Sequence, residues 1–305
     1  GPDLLGESGP LSTVMATGER VAAVESTLLG RNGARDVLLG VTPIREGYLL
    51  NFADITRLKD VDRLKSNIVA NVSHELRAPL ASIKAYVELL LDNLEGDDTD
   101  LRHRFLSIID QETDWLTELI NDLLDLSRLE SEPYAAEKDL LSVSEIVESV
   151  VALLDIQVHK RGVAVRCEVP NDLPLFMADK ELMTILVKNL VSNAIKYSAE
   201  GGRIDIMVRN ADSQFILEVT DQGIGSPPED LPHLFTKFYR SGVAKEHGIR
   251  GTGLGLVLAK EAVDIHGGTI NVDSQLGVGT RVTVGLPKQA ESTIEIPRQV
   301  ERMHE

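Results

Sequence analysis

Residues 66–92, SNIVANVSHELRAPLASIKAYVELLLD, limit the fold of this chain more than any other stretch. Apolar residues recur at Ile68, Val72, Leu76, Leu80, Ile83, Val87 and Leu90. Steps of three and four lay one apolar stripe along a helix, and that stripe needs a surface to cover it. His74 falls off the stripe and is expected to face outward, with Glu75 beside it and Arg77 and Lys84 adding positive charge nearby. Pro79 lies inside the pattern, so the carbonyl of Glu75 loses its helical donor and a kink is expected one turn past His74. An outward histidine beside a carboxylate, next to a bend, is suited to accept a phosphoryl group. A surface histidine on a long helix gives the same pattern, and these residues alone do not separate the two.

Leu58, Val61 and Leu64 continue the stripe upstream, so residues 56–94 read as one long helix. Glu95-Gly96-Asp97-Asp98 breaks the pattern as a turn. A second helix is expected over residues 99–130, striped by Leu101, Phe105, Ile108, Trp115, Leu119, Leu123 and Leu126. Trp115, the one tryptophan, reads as a core residue rather than a ligand contact. Such sustained spacing favours helix pairing. Two helices bury too little alone, whereas two from each of two chains would close a four-helix bundle, so a homodimer is expected.

A chain of 305 residues suggests two or three domains. The formal charge of −17 argues against a nucleic-acid surface. No apolar run is long enough to span a bilayer and no signal-peptide pattern opens the sequence. Membrane contact is therefore expected only through segments absent from this chain, and its setting is expected to be cytoplasmic. The single Cys167 excludes an internal disulfide and, in an alternating stretch, reads as a small buried hydrophobe.

Residues 1–56 read as short strands, VAAVEST, DVLLGVTPI and GYLLNFADI, with turns at Arg31-Asn32-Gly33 and Arg45-Glu46-Gly47. Ser131-Glu132-Pro133 reads as a hinge. Beyond it the pattern is mixed. Helices are expected over 143–159, capped by Ser142 or Ser144, and over 180–198 and 254–266, with short helical pieces in 226–238. Strands are expected over 163–169, 204–208, 215–220, 269–274 and 281–286, which together make an α+β sandwich. The tail from Gln289 lacks periodicity and reads as frayed.

Four stretches of this last region carry chemistry. Asn189, Asn193 and Lys196 share one helix face, where amide oxygens suit Mg²⁺ and the lysine suits phosphate. Asp221-Gln222-Gly223-Ile224-Gly225 follows a strand; its carboxylate can accept from the N6 amine of adenine, and its glycines permit close approach. Lys237, Tyr239 and Arg240, set among Phe235 and Phe238, could reach phosphates. Gly251-Thr252-Gly253-Leu254-Gly255-Leu256 opens a helix, which presents N–H groups to an anion, after a polar stretch at 241–250 suited to a mobile lid. Gly277-Val278-Gly279-Thr280 adds a further turn. Neither a P-loop nor the motif set of a Ser/Thr kinase is present.

Ser73-His74-Glu75-Leu76-Arg77-Ala78-Pro79-Leu80 resembles the phospho-acceptor box of sensor histidine kinases of two-component systems, which usually reads S-H-E-L-R-T-P-L. The four later stretches are similar, in order, to that family's N, G1, F and G2 boxes, so the resemblance covers about residues 60–288. It implies autophosphorylation of His74 by ATP, followed by transfer to an aspartate on the receiver domain of a response regulator. Glu75 would orient the histidine and Asn193 would ligate Mg²⁺. Asn189, Lys196, Tyr197, Asp221, Gly223, Gly225, Lys237, Tyr239, Arg240, residues 251–256 and Thr280 would line ATP in a Bergerat-type fold. A weakly catalytic signalling scaffold, or a protein that mainly dephosphorylates the regulator, is the alternative. Ala78 stands where the family commonly has Thr, a residue associated there with orienting the water that dephosphorylates the regulator. Residues 1–56 resemble the last three strands of a PAS sensor domain. The implied domains are 1–56 (partial PAS-like segment), 57–131 (signalling helix and dimerisation/phosphotransfer), 132–288 (ATP binding) and 289–305 (tail).

Overall fold

The computed structural model describes residues 10–30, 33–92, 99–130, 134, 136–170 and 173–288. The expected turns at 31–32 and 95–98, the hinge at 131–133 and the tail from 289 lie outside the described residues. The chain divides into two compact units, Gly1–Asn93 and Leu94–Glu305.

In the first unit, α1 (Pro10–Thr17) precedes three strands, β1 (Val21–Gly30), β2 (Gly33–Ile44) and β3 (Gly47–Asp54), paired as an antiparallel meander. The strand reading holds, whereas α1 was not foreseen. Its Val14 is buried against Leu39 and Val41 of β2, so tertiary burial rather than a long periodic pattern holds it. β3 leaves Tyr48, Leu49, Leu50 and Phe52 exposed. α2 (Thr56–Asp92) then leaves the sheet, its first residue stitched to β2. The Asp36 N–H donates to Thr56 Oγ1 at 3.0 Å, and the Thr56 N–H donates to Asp54 Oδ1 at 3.0 Å. α2 continues helically through Pro79, which is itself buried.

The second unit opens with α3 (Thr99–Glu130), whose bounds are those the stripe predicts. β4 (Lys138–Leu141) pairs with β6 (Phe176–Asp179) in a two-stranded ribbon that the sequence reading did not separate out. The helix expected over 143–159 is two: α4 (Val143–Leu153) and α5 (Asp155–Arg161). They break at Leu154, which is only 2% exposed and leaves helical geometry with ψ near 2°. Ser142 caps α4 by accepting from the Glu145 N–H.

The main sheet orders β5 (Ala164–Glu168), β7 (Arg203–Asn210), β8 (Gln214–Asp221), β10 (Gly279–Pro287) and β9 (Thr269–Gln275), antiparallel except for the β5–β7 pair. Burial alternates along β7 and β8, so one face of the sheet is core. Ile204, Ile206, Leu217, Val219 and Val284 line that face. α4, α6 (Lys180–Tyr197) and α8 (Gly255–Ile265) supply the facing layer through Val147, Leu186, Leu190, Leu258 and Val263. The sandwich architecture read from the sequence is the one observed. Cys167 is a correction: it is exposed. It lies on the edge strand β5, where burial fades after Val163 and Val165, so its alternation no longer points into a core.

Candidate functional site

A cavity opens at one end of the sheet in the second unit, lined by α6, the end of β8, the 224–226 turn, the 251–256 loop and β10. α6 is long and unbroken because Asp179 caps it: its Oδ1 accepts from the Leu182 N–H at 3.1 Å. Leu182, Leu186, Leu190 and Ala194 are buried on one side of the helix. Asn189, Asn193, Lys196 and Tyr197 then fall on the cavity side. Asn189 is held by donating from Nδ2 to the Ile185 carbonyl at 2.9 Å, which leaves its Oδ1 turned toward Gly255.

Asp221 ends β8 with 8% exposure. Its Oδ1 accepts from the Gly223 N–H at 2.9 Å and the Thr280 N–H at 3.2 Å, which fixes the carboxylate at the cavity wall. Burial pushes its pKa up to about 6, against the downward pull of those two N–H groups. Burial likewise raises the Tyr197 phenol. The wall here is main chain. A Cβ added at Gly223 would sit 2.1 Å from the Tyr197 carbonyl oxygen, and one at Gly225 would sit 2.0 Å from that of Gln275. Gly225 also has φ of 62°, open to glycine at no steric cost.

The glycine loop meets a side chain of α6 less closely. A Cβ on Gly255 would lie 2.8 Å from Asn189 Oδ1 and 3.7 Å from Asn193 Nδ2. Thr252 Oγ1 accepts from the Leu254 N–H at 3.2 Å and so organises the loop that starts α8. Tyr239 and Arg240 line the cavity. Tyr239 donates to Asp230 Oδ1 at 2.6 Å, and Arg240 donates from Nη2 to the Ile249 carbonyl while its buried Nε has no partner among the described residues. The 241–250 stretch, read from the sequence as polar and suited to a mobile lid, contains a short helix, α7 (Gly242–Glu246), capped by Ser241 accepting from the Ala244 N–H at 3.0 Å.

Of the residues singled out by sequence, the cavity brings together Asn189, Asn193, Lys196, Tyr197, Asp221, Gly225, Tyr239, Arg240, Gly251, Thr252, Gly253, Gly255, Leu256 and Thr280. Leu254 is wholly buried behind the loop, and Gly223 packs against the Asp221 carboxylate. Lys237 is not on the cavity wall; it pairs with Glu130. His74 and Glu75 belong to the other unit, on α2, where His74 is exposed and Glu75 half-buried. Sequence reasoning missed Glu118 and Asp122 of α3, which also line the cavity. Acidic residues on the polar side of an amphipathic helix carry no signal that distinguishes them from solvated ones.

Two family models match the chain: His Kinase A (phospho-acceptor) domain over residues 64–132, and Histidine kinase-, DNA gyrase B-, and HSP90-like ATPase over residues 178–290. Sensor histidine kinase WalK of Bacillus subtilis is 34% identical over 248 residues, covering 81% of this chain and 40% of the relative. Histidine protein kinase DivJ of Caulobacter vibrioides is 33% identical over 272 residues, covering 88% and 45%. The chain thus spans less than half the length of these relatives. Among solved structures, histidine kinase ThkA in complex with response regulator protein TrrA aligns with a TM-score of 0.61 at 22% identity, covering 93% of this chain and 83% of that one. Full-length ShkA in complex with AMPPNP aligns with a TM-score of 0.53 at 24% identity, covering 72% and 45%. At such identities the likeness is one of fold.

Proposed function

Because the chain belongs to the sensor histidine kinases of two-component systems, we propose that it binds ATP in the α6–α8 cavity, phosphorylates its own His74, and passes the phosphoryl group to an aspartate of a response-regulator receiver domain. The observation that carries this reading is the convergence on one cavity of an amide-bearing helix face, a buried aspartate and a glycine loop opening a helix. Asp221 Oδ2 can accept from the N6 amine of adenine, while the bare backbone at 223–225 lets the base lie flat against the wall. Lys196, Arg240 and the N-terminal amides of α8 face the phosphates.

The donor set also fits Mg²⁺. Asn193 offers one neutral hard oxygen on the cavity wall, and the described residues contain no cluster of three or more His, Cys, Asp or Glu for an all-protein cage. Mg²⁺ characteristically takes one or two protein ligands and completes its shell with phosphates and water. When bound, it offsets charge on the phosphates.

In the transfer, a ring nitrogen of His74 attacks the γ-phosphorus and the bond to the bridging oxygen of ADP breaks. Glu75 accepts from the other ring N–H and stabilises the imidazolium that develops. His74 and the cavity belong to different units, so the transfer requires the two units to meet. The same reading assigns residues 1–56 to a partial PAS-like segment, 57–131 to dimerisation and phosphotransfer, 132–288 to ATP binding and 289–305 to a tail. It also makes the working form a cytoplasmic homodimer. No described helix is long and apolar enough to cross a membrane. The solved complex of ThkA with a response regulator supports the receiver domain as partner.

Incubation with γ-labelled ATP tests the reading. Label that is lost in acid should accumulate on the wild type and be absent from His74→Gln, while both proteins bind ATP alike. Label on His74→Gln would remove His74 as the acceptor.

A further inference from the structure

α3 has a buried stripe of its own: Glu112, Leu119, Asp122, Leu126 and Leu129, at steps of seven, three, four and three. The leucines need no comment on a face packed against α8 and its loop. The two acids do, because a buried carboxylate is costly unless it is fully paired. Glu112 is 7% and Asp122 9% exposed.

Both are paired: the partner of Asp122 lines the cavity, and the partner of Glu112 directly precedes the glycine loop. Arg250, at the end of the lid stretch, makes two parallel bonds to Glu112, each 2.8 Å. Thr252, inside the glycine loop, donates to Asp122 Oδ2 at 2.6 Å. A third acid on the helix, Glu118, pairs with Lys196 of α6. A forked guanidinium on two anionic oxygens, a lysine on a third and a hydroxyl on a fourth is the set of contacts that phosphate oxygens make. Glu118 and Asp122 stand on the cavity wall itself.

We propose that α3 is an internal competitor of the nucleotide's phosphates: Glu112, Glu118 and Asp122 occupy Arg250, Lys196 and Thr252, and the phosphates of ATP gain those groups only as α3 lets go. This rests on the reading of the cavity as an ATP site. Linkage then runs both ways. Whatever shifts α3 off the lid tightens ATP binding, and bound ATP biases α3 toward release by the same factor. A helix whose outer surface joins a bundle can in this way transmit a signal to the nucleotide site without touching it.

The test is calorimetric binding of a non-hydrolysable ATP analogue and of adenosine to the full chain. Adenosine has no phosphates and does not compete with carboxylates. Glu112→Gln/Glu118→Gln should bind the analogue about tenfold more tightly than wild type and adenosine equally well. Asp110→Asn, which removes an exposed acid of the same helix outside the clamp, should leave both affinities unchanged. Equal affinity for the analogue in wild type and double variant, or equal tightening by Asp110→Asn, would overturn the proposal. If the double variant fails to fold, Asp122→Asn carries the same expectation for the analogue.

Trp115, the chain's one tryptophan, lies on α3 between Glu112 and Glu118 in the sequence, is half-buried, and offers a readout in the unaltered protein. Its emission should shift to the red when the analogue binds and stay put with adenosine. Analogue binding with no shift would also overturn the proposal. Failure of both ligands to bind would instead remove the nucleotide reading, and this inference with it.

Discussion

Ala78 is exposed on α2, one helical turn beyond His74. A hydroxyl there can hold a water by one donated and one accepted bond, and a methyl can do neither. The autokinase chemistry asks nothing of this side chain. The wild type should therefore dephosphorylate its regulator slowly, and Ala78→Thr should speed the decay of phosphorylated regulator measured without ATP; equal decay rates would show that another group holds the water. Asp221 gives a pH prediction. Burial raises its folded pKa from 3.8 to about 6, so between those values the folded chain holds a proton that the unfolded chain releases. Its contribution to stability is thus complete below 3.8 and lost as pH rises through about 6. Recognition runs the other way, because the ionised carboxylate is the better acceptor for adenine. Adenosine affinity should fall as pH drops below about 6 in the wild type, and should be weaker by on the order of tenfold but flat with pH in Asp221→Asn; a parallel pH profile in the variant would take the effect away from Asp221. That Asp221, Asn189 and Asn193 share one cavity was legible in the sequence because each belongs to a short local motif. The α3 acids were not. The partner of Glu112 lies 138 residues away, and nothing near it in the chain announces the contact.

Among the elements, α6 has its origin in one buried residue. Asp179 caps it through Oδ1, accepts the Glu137 N–H on Oδ2 at 3.0 Å, and donates its own N–H to His266 Nε2 at 3.0 Å. His266 Nδ1, 2.7 Å from the Ala262 carbonyl, must then carry the proton, so the ring is neutral and sits between the ends of two elements. Asp179→Ala removes a cap and leaves the Glu137 and Leu182 N–H groups seeking partners. It should destabilise the second unit by about 2 kcal/mol and lower its melting temperature by several degrees, measured by circular dichroism. A melting temperature within about one degree of wild type would show that water replaces the carboxylate without loss. The long helices, the sheet strands and α6 were readable because each runs for several repeats of its own period. α1, the β4–β6 ribbon and the break at Leu154 were not, since each depends on burial supplied by distant residues.

At the scale of the whole molecule, the two long helices carry apolar side chains that one copy leaves in solvent. Leu80 is 55% and Leu91 63% exposed on α2, and Ile120 is 49% and Leu124 57% exposed on α3. α3 therefore has two apolar sides, one covered by the ATPase sandwich and one bare, a division its single averaged stripe in the sequence did not display. A second copy of the chain is the partner that would cover such surfaces and complete a four-helix core. Light scattering at micromolar concentration should find a dimer, and Ile120→Glu/Leu124→Glu should shift it to monomer while leaving the sandwich folded. A monomeric wild type would count against the bundle.

The main-chain wall beside Asp221 has a consequence for how such a protein can change over generations. At Gly223 and Gly225 the smallest added carbon would collide with a carbonyl oxygen, so every replacement damages the shape of the cavity wall before its chemistry matters. Heritable tuning of nucleotide affinity is thereby steered away from the base and toward positions that tolerate variety. Among the acids of α3, half-buried Glu118 is such a position, whereas Glu112 and Asp122 are buried and paired. Two lineages with the same main-chain wall could thus differ in how tightly this cavity holds a ligand.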